Sequence, residues 1–167
     1  MVGESPTAKE TKYRPELDQS PELSPKDAAN HQSLIGILRW TVELGRVDIC
    51  CEVSMMSSYF AMPRDGHLQQ VFHIFSYLRY KHNARMVFDP RYPSLDYSKF
   101  VKRDWSSFYG EVKEEIPDNI PTAHGNEFII LCFCDSDHVG DQLTRRYRTR
   151  FIVYLNSAPI YWLSKKQ

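Results

Sequence analysis

Between residues 24 and 82 the apolar positions recur at helical spacing, whereas after residue 127 they run in short blocks closed by polar and turn residues. Ser24-Pro25-Lys26-Asp27 opens the first helical stretch with an N-cap hydroxyl, a proline at the first helical position and an early carboxylate. Leu34, Ile35, Leu38, Thr41 and Val42 then share one face, and Gly45 stops the pattern. A second helix is predicted from about Val47 to Phe60, entered through Asp48 and ended by Pro63. Its stripe is Val47, Cys51, Met55 and Tyr59, widened by Cys50 and Met56. The third runs from about Gly66 to Lys81 on Leu68, Val71, Phe72, Phe75 and Leu78. Short connections between three amphipathic helices predict a small antiparallel bundle over 24–83.

Residues 1–23 carry charges of both signs and several prolines, with few large apolar residues beyond Tyr13, Leu17 and Leu23. Such a stretch cannot bury enough surface to offset its ordering entropy, which predicts a flexible lead-in. Residues 84–126 read as an irregular connector, with a short strand at Met86, Val87 and Phe88 and the acidic run Glu111 to Glu115. Its aromatics (Tyr92, Phe100, Trp105, Phe108 and Tyr109) are too many for a solvated linker, so the rings are expected on a neighbouring surface.

Residues 127–167 are β-rich. Seven apolar residues from Phe128 to Cys134 predict a strand buried on both faces, closed by Asp135, Ser136, Asp137 and His138. After a loop to about Arg146 come strands at 149–155 and 160–164, separated by the turn Asn156-Ser157-Ala158-Pro159. The class is therefore α+β: a three-helix bundle, a connector, and a three-stranded antiparallel meander. Nothing in the sequence supplies a cover for the outer face of that meander, so the sheet reads as interrupted.

Composition narrows the function classes. Hydrophobic residues make up 42% of the 167, enough for a core. Lys and Arg number 21, as do Asp and Glu, so no whole-protein field draws the chain to nucleic acid or an anionic membrane. Any nucleic-acid contact must come from a local patch. No membrane-spanning run or signal peptide stands out, which predicts an intracellular protein, cytoplasmic or nuclear, with no membrane partner. The four cysteines (Cys50, Cys51, Cys132, Cys134) lack zinc-knuckle spacing and read as buried reduced thiols. His67 and His73 stand six apart, off the i, i+4 spacing of helical zinc sites, and read with His31 and His82 as surface or packing histidines.

Two basic groups are candidates for phosphate contact. Arg79 and Lys81 sit among aromatics at the end of the third helix, where cations also suit the helix dipole. Arg145, Arg146, Arg148 and Arg150 form the second group, as either a solvated loop and strand face or a contact to backbone phosphates. Asp135 is a polar strand end or a metal carboxylate. The polar strand end is the default; a metal role would draw on the strand fixing the Cβ of a residue that holds hard divalent ions.

The order of short motifs along the chain resembles the Pol polyprotein of copia-type LTR retrotransposons. Those motifs include Tyr13-Arg-Pro-Glu-Leu-Asp18, Val42-Glu-Leu-Gly-Arg-Val-Asp-Ile49, His67-Leu-Gln-Gln-Val71, Met86-Val-Phe-Asp-Pro90, Cys134-Asp-Ser-Asp-His138 and Ala158-Pro-Ile-Tyr-Trp-Leu-Ser-Lys-Lys-Gln167. The resemblance implies that the bundle is the reverse transcriptase thumb, gripping a template–primer duplex. The connector would join it to the first three strands of an RNase H-like domain. Asp135 would be the first catalytic carboxylate and a Mg²⁺ ligand, at the family's Asp-Ala-Asp-His/Trp signature. Asp137 matches the signature without being assigned to metal. Two departures stand out: Ser136 where the family has alanine, and Arg150 where it has glycine.

Cleaving RNA in an RNA–DNA hybrid needs two Mg²⁺ ions about 4 Å apart, held by several carboxylates. Asp135 alone supplies too few oxygens, and no Tyr-x-Asp-Asp polymerase signature is present. The expected function is thus a truncated or degenerate Pol fragment, inactive alone, with the rest of the polyprotein as its ancestral partner. The alternative is a residual module binding hybrids or duplexes non-specifically. A third reading is an enzyme subunit whose missing ligands come from another chain or a downstream continuation.

Overall fold

The computed structural model describes residues 13–99, 101, 104–110, 117–121, 125, 127–137, 141 and 143–167. Helix α1 spans Pro25–Glu43, and Ser24 caps it by accepting a hydrogen bond from the Asp27 amide at 3.2 Å. The helix ends where Gly45 takes a φ of +110°, a left-handed geometry that favours glycine, with Met86 packed beside it. Helix α2 is the short Cys50–Met56, flanked by 3₁₀ turns at Val47–Ile49 and Ser57–Tyr59. Helix α3 spans Asp65–Tyr80, and a one-turn α4 spans Ser106–Tyr109 in the connector.

One apolar core holds α1, α2 and α3 together: Ile35, Leu38 and Val42 meet Ile49, Val53 and Met56, and Val71 and Ile74 close it. The expected stripe on the second helix is met in part: Met56 lies in that core, and Cys50, Met55 and Tyr59 pack against it. Ile49, Val53 and Met56 face the helices, while Val47 and Cys51 line a groove toward the sheet. The helix is covered on two sides, so the single expected stripe mixes residues of both and leaves out Ile49 and Val53.

The sheet comprises β1 (Ile130–Asp137), β2 (Arg148–Leu155) and β3 (Ala158–Lys166) in the order β1-β2-β3, all antiparallel. The expected meander and hairpin are present, with β3 longer than predicted. The turn is two residues, Asn156 and Ser157, and Asn156 adopts a φ of +53°. Register places Cys132 opposite Val153, Cys134 opposite Phe151, and Asp135 opposite Arg150. Residues 148, 150 and 152 share a face with Trp162. That face meets the helices: the Trp162 indole donates to the Val42 carbonyl at 3.2 Å, and Ser54 Oγ donates to the Ser164 carbonyl at 2.6 Å.

Four expectations need correction. Strand β1 is an edge strand, not one buried on both faces. Phe133 is 56% exposed and Cys132 and Cys134 are exposed, because the helices cover only the β2–β3 side of one face. Residues 86–88 form no strand. The chain nearby is held instead by the hairpin turn, where Asn156 Nδ2 donates to the Pro90 carbonyl and the Ser157 amide to that of Arg91.

The connector aromatics are not laid on a neighbouring surface. Tyr92, Trp105, Phe108 and Tyr109 are exposed, with the Trp105 ring 6.3 Å from both of the last two; Phe100 lies outside the described residues, as does the acidic run Glu111 to Glu115. Finally, the flexible lead-in does not describe residues 13–23. Pro15 is buried, its carbonyl meets His67 Nε2 at 2.9 Å, and Arg64 Nη1 donates to the Ser20 carbonyl at 2.6 Å. Hydrogen bonds to the start of α3, rather than apolar area, order this strap, and a hydropathy pattern does not register them.

Candidate functional site

Asp135 stands near the carboxyl end of β1, at the rim of an open, largely apolar groove of about 290 Å³ between α2 and the sheet. Its side chain is 69% exposed. The guanidinium of Arg150, directly across the strand pair, approaches its carboxylate at 3.6 Å. Register creates this pair: antiparallel partners share a face, so the cation at position 150 lies over the carboxylate at 135. Among the described residues no three His, Cys, Asp or Glu side chains come together in a way that could hold a metal ion. His138 lies outside the described residues, and the side chain of Asp137 is likewise not described.

The basic candidates fall on separate elements. Arg79 is exposed in the last turn of α3. Lys81 follows it, its ammonium 5.0 Å from the centre of the Tyr80 ring. Arg145 and Arg146 are exposed in the loop before β2, with Arg145 at a φ of +55°. Arg148 differs from them all. It is 9% exposed, and its guanidinium donates to Ser54 Oγ at 2.5 Å and to Ser58 Oγ at 3.4 Å. The phosphate contact expected of Arg148 thus meets a side chain already engaged in joining the sheet to α2.

The loop before β2 is organised by Asp141. Its Oδ1 accepts from the amides of Leu143 and Thr144 at 3.1 and 2.8 Å, and its Oδ2 pairs with Lys166. Burial pushes its carboxyl up, but the Lys166 ammonium and the Thr144 hydrogen bonds prevail and hold it down at about 2. With Glu16, Tyr59, Arg146 and Arg148 it rims a small polar cleft of about 70 Å³.

Sequence reasoning treated Arg150 as a departure in strand packing and overlooked it as the partner of Asp135. It also passed over Ser54, Ser58 and Asp141. The pairing of Asp135 with Arg150 belongs to the β1–β2 register, and residues 138–147 between those strands are too many to fix it by counting; nothing local marks the serines.

These features sit in a chain that is similar to the Pol polyproteins of retrotransposons. A putative transposon Ty5-1 protein of Saccharomyces cerevisiae is 25% identical over 147 residues, covering 88% of this chain and 36% of that protein. A retrovirus-related Pol polyprotein from transposon RE2 of Arabidopsis thaliana is 23% identical over 167 residues, covering 100% of this chain and 9% of the polyprotein. The chain thus spans about a third of the first relative's length and about a tenth of the second's. No family model matches the chain, and no solved structure matches it.

Proposed function

We propose that this chain corresponds to the stretch of a copia-type Pol polyprotein where the reverse transcriptase passes into its RNase H, and that by itself it catalyses neither reaction. In this reading the helical unit is thumb-derived and the meander is the first part of an RNase H-like domain. Asp135 is the ancestral metal carboxylate. The observation that carries the loss of activity is the Asp135–Arg150 pair.

Divalent ions in such a site are held by hard anionic oxygens, and the Arg150 guanidinium beside the Asp135 carboxylate opposes their charge. The described donors therefore do not fit a pair of Mg²⁺ ions. The family's glycine at position 150 would leave that carboxylate without a cation opposite.

A hybrid-cleavage assay in Mg²⁺ or Mn²⁺ tests this directly. The wild-type chain is expected to match the protein-free blank. Cleavage that Asp135→Asn abolishes would overturn the reading.

A second reading, weak binding to duplex or hybrid backbones, has the exposed Arg79, Arg145 and Arg146 in its favour. Its mark is loss of binding with salt, at a slope set by the few phosphates contacted. No binding at low ionic strength by the folded chain removes it.

A further inference from the structure

Cys132 and Cys134 occupy alternate positions on β1, so both thiols leave the sheet on the same face, the one turned away from the helices. Both residues are exposed, and their sulfurs lie 3.5 Å apart. We propose that they form a vicinal dithiol that chelates a trivalent, pyramidal thiophile of the arsenite class. This site is independent of Asp135, which lies on the opposite face of the strand.

Geometry selects the ligand class. A thiolate–ion bond of about 2.3 Å, the length zinc shows, closes an S–ion–S angle of about 100° across the observed sulfur separation. A trivalent centre carrying a lone pair adopts such an angle with two sulfurs and one further substituent. Tetrahedral zinc wants four donors, and among the described residues no third His, Cys, Asp or Glu completes a group of three. A linear two-coordinate ion needs sulfurs further apart.

The strand also works against the competing fate, an internal disulfide. Same-face Cα atoms on an extended chain stand about 6.6–6.8 Å apart, at the upper limit of what a disulfide spans. The pair is thus held close without being drawn into a bond. The hydrogen bond between the two sulfurs, and then burial, push the Cys132 thiol above its usual range.

The other two thiols offer no rival site. Burial, then the neighbouring Cys51, pushes Cys50 up to about 11, and burial raises Cys51 as well.

With phenylarsine oxide as the probe, two As–S bonds form and the As–O bond breaks. The arsenical oxygen leaves as water with both thiol protons, and no oxidation state changes. Intact-mass titration of the reduced full chain is expected to show one adduct, removed by excess dithiothreitol but resistant to a monothiol. Cys132→Ser and Cys134→Ser should each weaken it by about 100-fold or more, the loss of an intramolecular second bond. Cys50→Ser combined with Cys51→Ser should leave it intact.

Alkylation mapping of the wild-type chain supplies a readout that needs no variant: the arsenical should protect positions 132 and 134 alone. An adduct that survives either single serine variant, protection that falls on 50 and 51, or no adduct on the folded chain would each overturn the assignment.

Discussion

The helical unit and the sheet are built from comparable apolar sequence but are buried very differently. Every apolar side chain that is buried among the described residues and belongs to the core lies between Ile35 and Ile74. On the sheet, Ile130, Phe133 and Tyr161 are each more than half exposed, and among the described residues Trp162 is its one apolar side chain packed against that core. The lesson is that an apolar run specifies a strand but not its burial. Burial needs a second layer, and here the helices cover one face of β2 and β3 and leave β1 at the margin.

The largest expected effect sets the two regions against each other. Leu38 is fully buried, so Leu38→Ala should cost about 2–5 kcal/mol through lost transfer energy and the cavity left behind. Phe133→Ala, on the exposed edge, should change stability by only about 0.5 kcal/mol. Urea unfolding followed by far-ultraviolet circular dichroism measures both. Equal losses would mean that the Phe133 side of β1 is covered in solution, and the contrast would fail.

Arg148 is where the regions are joined, and its removal should separate them. Arg148→Leu leaves the hydroxyls of Ser54 and Ser58 without the guanidinium that donates to them. Hydrogen bonds to a charged group contribute roughly 1.5–3 kcal/mol. Hydrogen exchange should show that cost as lost protection across β2 and β3, while the amides of α1 stay protected. Simultaneous loss in α1 would show that the two regions open as one.

His31 sharpens the comparison from the helical side. It is fully buried, and neither ring nitrogen has a hydrogen-bond partner among the described residues; only the Phe60 ring lies edge-on at 6.3 Å. Burial, and then the charge of His67, push its pKa below the usual histidine value. The unfolded chain therefore takes up a proton before the folded one does. The stability tied to a neutral His31 is present above pH 6.5, the usual histidine value, and is lost as pH falls below it. Removing the unsatisfied ring in His31→Leu should raise stability by about 1 kcal/mol at neutral pH and flatten the fall between pH 7 and 5. Urea midpoints across that range test it; an unchanged slope would exclude His31 as its source.

Much of the fold was legible where local signals agree. Ser24, Pro25 and Gly45 bounded α1, and turn composition at Asn156 and Ser157 located the hairpin. What stayed hidden depends on distant partners. The strap at 13–23 is ordered by polar bonds to Ser20 and Pro15, the second face of α2 exists only because a sheet lies beside it, and Arg148 is claimed by serines some ninety residues away. For the site, Asp135 was legible from its strand end and motif. Its pairing with Arg150 followed from register and so from the fold.

The last effect, confined to one helix terminus, concerns the cap of α1. Ser24 Oγ accepts from the Asp27 amide and donates to Asp27 Oδ2 at 2.6 Å, so Ser24→Ala leaves one helical amide to water. A lost cap of this kind typically costs about 1 kcal/mol. The cap lies in the helical unit, so its loss should lower the protection of α1 amides that exchange only on global unfolding. Amides of β1, an exposed edge that opens at lower free energy, should exchange at an unchanged rate. Parallel acceleration in both would mean that the meander has no opening of its own and owes all its protection to the helices beneath it.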